Sequence, residues 1–105
     1  MATISYIQPK TAYIKCELED LDEYIYERKS RFGIDNADDL ELFCDKHFEY
    51  DYDATMVASV DYFEILDMYD SITLQNTTLT GIKPRTALGE EIIIDTLNHY
   101  FDELL

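Results

Sequence analysis

Tryptophan is absent from this 105-residue chain, and glycine, proline and cysteine number only three, two and two. Three glycines leave little room for a phosphate-cradling loop, and no P-loop, G-x-G-x-x-G or G-x-S-x-G pattern occurs. Cys16 and Cys44 are too few for a disulfide framework in a chain long enough to fold without staples, so reduced thiols in a cytoplasmic setting are expected. The longest clean apolar run, Ile92-Ile93-Ile94, falls far short of the roughly 18 residues of a membrane span. Met1–Tyr6 offers neither the cationic nor the apolar region of a secretory signal. Basic residues are scarce as well: 8 Lys and Arg stand against 23 Asp and Glu, a formal charge of −15. That balance excludes unaided nucleic-acid binding, which draws its affinity from cations that displace counterions. It also disfavours anionic membranes, which attract basic segments.

What is present argues for a folded domain. Hydrophobic residues make up 47% of the chain, with nine Tyr and five Phe, which is more apolar surface than a disordered acidic chain carries. The length implies one domain over residues 1–105.

Periodicity predicts an α+β domain with a mainly antiparallel sheet, opening and late hairpins and about three helices. Thr3–Ile7 and the alternating run Ala12–Leu18 read as an opening hairpin around Pro9-Lys10. Asp20 and Glu23 give a helix start resembling a capping box. Leu21, Tyr24, Ile25, Arg28 and Phe32 follow at helical spacing up to Gly33. Asn36 is a good N-cap for a second helix, whose buried stripe is Leu40, Phe43, Cys44, His47 and Phe48. Residues 55–70 are ambiguous: Thr55–Val60 suits a strand, and Asp61 onward fits either a short helix through Tyr69 or a strand continuing to Leu66. Ser71–Gln75 and Thr78–Ile82 suggest a late hairpin. A last helix begins near Ala87, with Ile93, Leu97, Tyr100, Phe101 and Leu104 as its apolar stripe.

The charge is unevenly placed. Residues 17–70 hold 18 of the 23 acids and a net charge of −14, whereas residues 1–16 are net positive. Asp38, Asp39, Glu41 and Asp45 fall off the apolar stripe of the second helix, and Asp35 lies just before it, four positions from Asp39. Like charges at i, i+4 destabilise a helix by about 0.2–0.5 kcal/mol per pair. Solubility alone needs a net charge of only about 2–8, so the excess suggests that the field is used. A globule of this length is about 30–35 Å across. Duplex DNA presents about 20 charges over that length, close to what this half of the chain carries. In an extended strand, Glu49, Asp51 and Asp53 would form a row at roughly 6.5–7 Å spacing, with Tyr50 and Tyr52 on the other side. These ten residues, Asp35 to Asp53, are the candidate partner-binding face.

In size, charge and acidic–aromatic interleaving the chain resembles small phage-encoded inhibitors that imitate nucleic acid, the acidic anti-CRISPR and antirestriction proteins. No individual motif carries the resemblance. It implies a viral protein acting in the host cytoplasm, a DNA mimic that competes with DNA or RNA for a Lys/Arg-lined channel of a defence nuclease such as a Cas complex. An immunity protein or antitoxin holding a cationic toxin shares the same physics, as does an acidic regulatory subunit or a homodimer joined through aromatic surface.

No catalytic or cofactor site is expected. Asp51-x-Asp53-x-Thr55 lacks the glycine and the final glutamate of an EF-hand loop. Cys44-x-x-His47 has half the look of a zinc site, but both residues fall on the buried stripe. A catalytic thiolate also needs an electropositive neighbourhood, and this one is acidic. The sequence therefore points to binding through charge, with neither metal nor cofactor and no enzyme activity.

Overall fold

Alternation along β1 (Lys10–Glu17) buries Ile14 and Cys16 while Tyr13, Lys15 and Glu17 face solvent. This strand pairs antiparallel with β2 (Phe48–Phe63), Cys16 lying opposite Met56 and Lys10 opposite Tyr62. The computed structural model describes residues 10–63, 68–69 and 71–104. The other edge of β2 is taken by the two-residue strand β3 (Met68–Tyr69) at Tyr62 and Phe63, and by β4 (Thr77–Pro84) from Phe48 to Ala58. All of these pairings are antiparallel, and β2 is the centre of a four-stranded sheet.

Among the described residues four α-helices complete the α+β fold: α1 (Leu18–Glu27), the single turn α2 (Lys29–Phe32), α3 (Ala37–His47) and α4 (Ala87–Leu104). One core joins the sheet to the helices. Ile14, Cys16, Met56, Ala58, Val60 and Ile82 meet Leu21 and Ile25 of α1, Cys44 of α3, and Ile92, Ile93, Leu97 and Phe101 of α4. The outward residues of the sheet include Thr11, Tyr13 and Lys15, Thr55, Val57, Ser59 and Asp61, and Thr78 and Thr80. The centre of that open face is thus uncharged apart from Lys15, with Asp61 and Glu17 towards its ends, and most acids among the described residues lie on the helices and the first third of β2.

The 16 residues of β2 span about 53 Å at ~3.3 Å per residue. The molecule measures 64 × 25 × 21 Å, with a Cα radius of gyration of 16.4 Å. A globule of this length would have a radius near 13 Å. The expected sphere of 30–35 Å therefore gives way to an elongated rod.

Several boundaries differ from the sequence reading. Helix α1 starts at Leu18, and Asp20 sits one turn inside it, its carboxylate accepting the Glu17 N–H at 2.8 Å. The expected single helix to Phe32 breaks at Arg28, and Gly33 closes α2 in the left-handed region. Asp61–Phe63 continue the strand, so the alternative helix from Asp61 does not form there. Ser71–Thr73 have no regular structure and Leu74–Asn76 form a 3-10 turn in place of the first strand of the late hairpin. The second strand of that expected pair, β4, pairs with β2. Thr3–Ile7, and with it the opening hairpin, lies outside the described residues, as do Glu64–Asp67.

Candidate acidic–aromatic interface

Asn36 starts α3 as anticipated, its side-chain oxygen accepting the Asp39 N–H at 2.9 Å. The Asp39 carboxylate in turn accepts the Asp35 N–H at 3.0 Å. Asp39 is therefore spent on building the helix entrance, with Asp35 exposed beside it. Asp38, Glu41 and Asp45 follow at i, i+3 and i+7, all exposed. They line one solvent face of α3, with Leu42, 68% exposed, between them.

The chain then passes directly into β2. Phe48 caps α3 in an extended conformation and is buried, leaving Glu49 exposed. Tyr50 lies opposite Ile82 and Thr55 opposite Thr80, so Asp51, Tyr52, Asp53 and Ala54 together face Gly81 alone. Gly81 has φ 71°, and a Cβ there would stand 3.3 Å from Asp51 Oδ2 and 3.4 Å from Ala54 Cα. The left-handed backbone is what calls for glycine here, and the tip of the Asp51 side chain would have to give slightly to a Cβ. The bulge corrects the expected strand geometry: residues 51–53 leave the sheet's regular pleat and protrude, so the evenly spaced row does not form. Tyr50 and Tyr52 also part company. Tyr50 is half-buried and its hydroxyl donates to Asp45 at 2.9 Å. Tyr52 is 86% exposed, with its ring edge-on to Tyr50 at 6.2 Å.

Three shallow recesses meet at Tyr50. The first, of about 230 Å³, is lined by Leu18, Asp22, Ala37, Leu40, Glu41, Cys44, Tyr50 and Tyr52. The second, about 260 Å³, lies between Glu49, Asp51 and Lys83. The third, about 330 Å³, lies between Glu41, Asp45, Glu49 and Arg85. The fold thus brings Glu41, Asp45, Glu49, Tyr50, Asp51 and Tyr52 around one centre. Asp53 adjoins it in the bulge, Asp38 extends it along α3, and Asp35 and Asp39 stand at the far end of the helix.

The ion pairs among the described residues lie elsewhere: Arg28–Glu27 at 3.8 Å, Arg31–Glu91 at 3.4 Å and His99–Glu103 at 3.3 Å. Asp38, Glu41, Glu49, Asp51 and Asp53 join no ion pair among the described residues. Burial and the Asp45 carboxylate hold the Tyr50 hydroxyl protonated, well above its ordinary range.

Beneath this surface the chemistry is closed. Cys44 donates to Asp22 at 3.6 Å, and burial together with Asp22 pushes its thiol up to about 12. Burial and Asp20 likewise lift the Cys16 thiol to about 12. His47 Nδ1 lies 2.7 Å from the Thr86 hydroxyl, which also accepts the Gly89 N–H at 3.0 Å. Cys44 and His47 each serve a separate structural contact. Among the described residues no cluster of three or more metal-ligating side chains occurs, and no helix is long and apolar enough to cross a membrane.

Sequence reasoning missed Asp22, Lys83 and Arg85 as lining residues. Asp22 follows Leu18 by four positions and precedes Ile25 by three, so it flanks the apolar stripe once the helix start is placed at Leu18. Lys83 and Arg85 reach the site through β4 pairing, which no local pattern reveals. No protein family, curated protein or solved structure matches the chain.

Proposed function

We propose that this protein is an acidic inhibitor that docks on the basic nucleic-acid-binding surface of a defence nuclease complex, in the manner of anti-CRISPR or antirestriction proteins. The observation that carries the reading is the run of carboxylates free of ion pairs among the described residues, from Asp38 through Glu41 to Glu49, Asp51 and Asp53, arranged around the exposed Tyr52. Unpaired acids in one region create a field that steers a cationic partner over distance and raises its association rate. At contact, Tyr52 and the recesses beside it supply the short-range fit that a featureless charged surface lacks, since aromatic residues are enriched at interface centres. Binding there excludes DNA or RNA from the partner's Lys/Arg-lined channel. The protein acts by occupancy, in the cytoplasm of the host cell, and its partner is a protein.

The test is a competition assay with purified CRISPR and restriction effectors and their labelled DNA. The expected result is displacement of DNA from one effector, weakening steeply with salt. Failure to displace DNA from every effector at low salt, or displacement unaffected by Asp38→Asn/Glu41→Gln/Glu49→Gln/Asp53→Asn, would count against the reading.

A further inference from the structure

The three recesses around Tyr50 differ in one respect. Lys83 lines the recess beside Glu49 and Asp51, and Arg85 lines the one beside Glu41, Asp45 and Glu49. Each of these two acidic hollows holds one of the chain's own cations. No base lines the recess bounded by Asp22 and Glu41. Leu18, Ala37, Leu40 and Cys44 give it an apolar lining, and Tyr50 and Tyr52 line it as well. The Asp22 carboxylate is half-buried and, among the described residues, accepts from the Cys44 thiol at 3.6 Å. A thiol is a weak donor, so acceptor capacity is left over on a group partly removed from water.

Resting on the function proposed above, we infer that this recess is the seat of a single arginine side chain from the partner's basic surface. Arginine fits better than lysine for three reasons. Its methylene stem suits the apolar lining while its charged head reaches the carboxylates. Its planar guanidinium stacks on tyrosine faces and bonds a carboxylate in bidentate fashion. The chain already displays this pairing in Arg28, whose guanidinium lies 3.7 Å from the centre of the Tyr24 ring. Glu41 and Asp22 supply the carboxylates, and Tyr52, 86% exposed, has an open face for stacking.

The test uses the whole chain, amide chemical-shift mapping and three capped tripeptides: tri-arginine, tri-lysine and tri-citrulline. Tri-arginine is expected to shift the amides of Asp22, Glu41, Cys44 and Tyr52. It should bind roughly threefold to tenfold more tightly than tri-lysine, with tri-citrulline silent. Tyr52→Ala and Glu41→Gln alter exposed side chains and should each lower tri-arginine affinity severalfold while circular dichroism stays unchanged. Equal binding of the arginine and lysine peptides, with shifts spread from Asp38 to Asp53 and no effect of Tyr52→Ala, would overturn the arginine seat and leave the acidic face standing. Absence of binding by either cationic peptide at low salt would overturn both.

Discussion

Individual contacts decide how α3, β2 and α4 lock together. The His47 carbonyl accepts the Arg85 N–H at 2.7 Å, and Gly89 presses so close to that carbonyl that an added Cβ would run into its oxygen. Gly89→Ala is therefore expected to destabilise the fold by about 1–3 kcal/mol, the usual range for overpacking, read from urea unfolding. His47 adds a pH dependence. Burial, aided by Lys46, holds its folded pKa below the ordinary value. As pH falls through the ordinary histidine range, near 6.5, the unfolded chain takes up a proton that the folded one resists. Stability is then lost on acidification. The free energy of unfolding should drop between pH 7.5 and 5.5 in the natural chain and drop less in His47→Gln. An equal drop in both would assign the effect to other groups.

Among the elements, the bulge in β2 matters most for the surface. Gly81→Ala strains a left-handed backbone and crowds Asp51, so it should cost on the order of 1–2 kcal/mol and shift the amides of Asp51–Asp53. Unmoved resonances there would show that the bulge does not depend on Gly81. None of this was legible in the sequence, because Gly81 and Asp51 lie thirty positions apart and D-Y-D alternates as any strand does. The start of α3 was legible: Asn36 announces it, and the apolar stripe to Phe48 follows at strict helical spacing. The core stripe of α4 was legible for the same reason. Ser71–Gln75 misled because local side chains take its backbone groups: Asn76 accepts the Thr73 N–H and donates to the Ser71 carbonyl, and the Thr77 hydroxyl donates to the Thr73 carbonyl. Such local bonds compete with a strand ladder. The candidate site was thus half visible: its acids and tyrosines stand out in the sequence, whereas its recesses need α1 packed beside α3 and β4 bringing Lys83 and Arg85 alongside.

At the scale of the whole molecule, a charge of −15 sits on a rod with few internal ion pairs among the described residues. Mutual repulsion disfavours the folded state and falls with salt. Raising NaCl from about 0.02 M to about 0.5 M shortens the screening length from roughly 20 Å to about 4 Å. The melting temperature should rise by several degrees, since about 1 kcal/mol moves a domain of this size by roughly 4–8 °C. A fall would mean that the carboxylates are paired more than their geometry indicates. Placement of charge, rather than its total, separates an inhibitor from an acidic globule, and matched variants isolate it. Asp38→Asn/Glu41→Gln/Glu49→Gln/Asp53→Asn clears the α3–β2 face. Glu19→Gln/Glu23→Gln/Glu90→Gln/Asp102→Asn removes the same charge from α1 and α4, where all four side chains are exposed. The deciding measurement is phage plaquing efficiency on hosts carrying the defence system that the proposed inhibition targets, with each variant expressed at equal level. The first variant is expected to lose protection and the second to keep it; equal protection, or loss in the second alone, would rule out the α3–β2 face as the inhibitory surface.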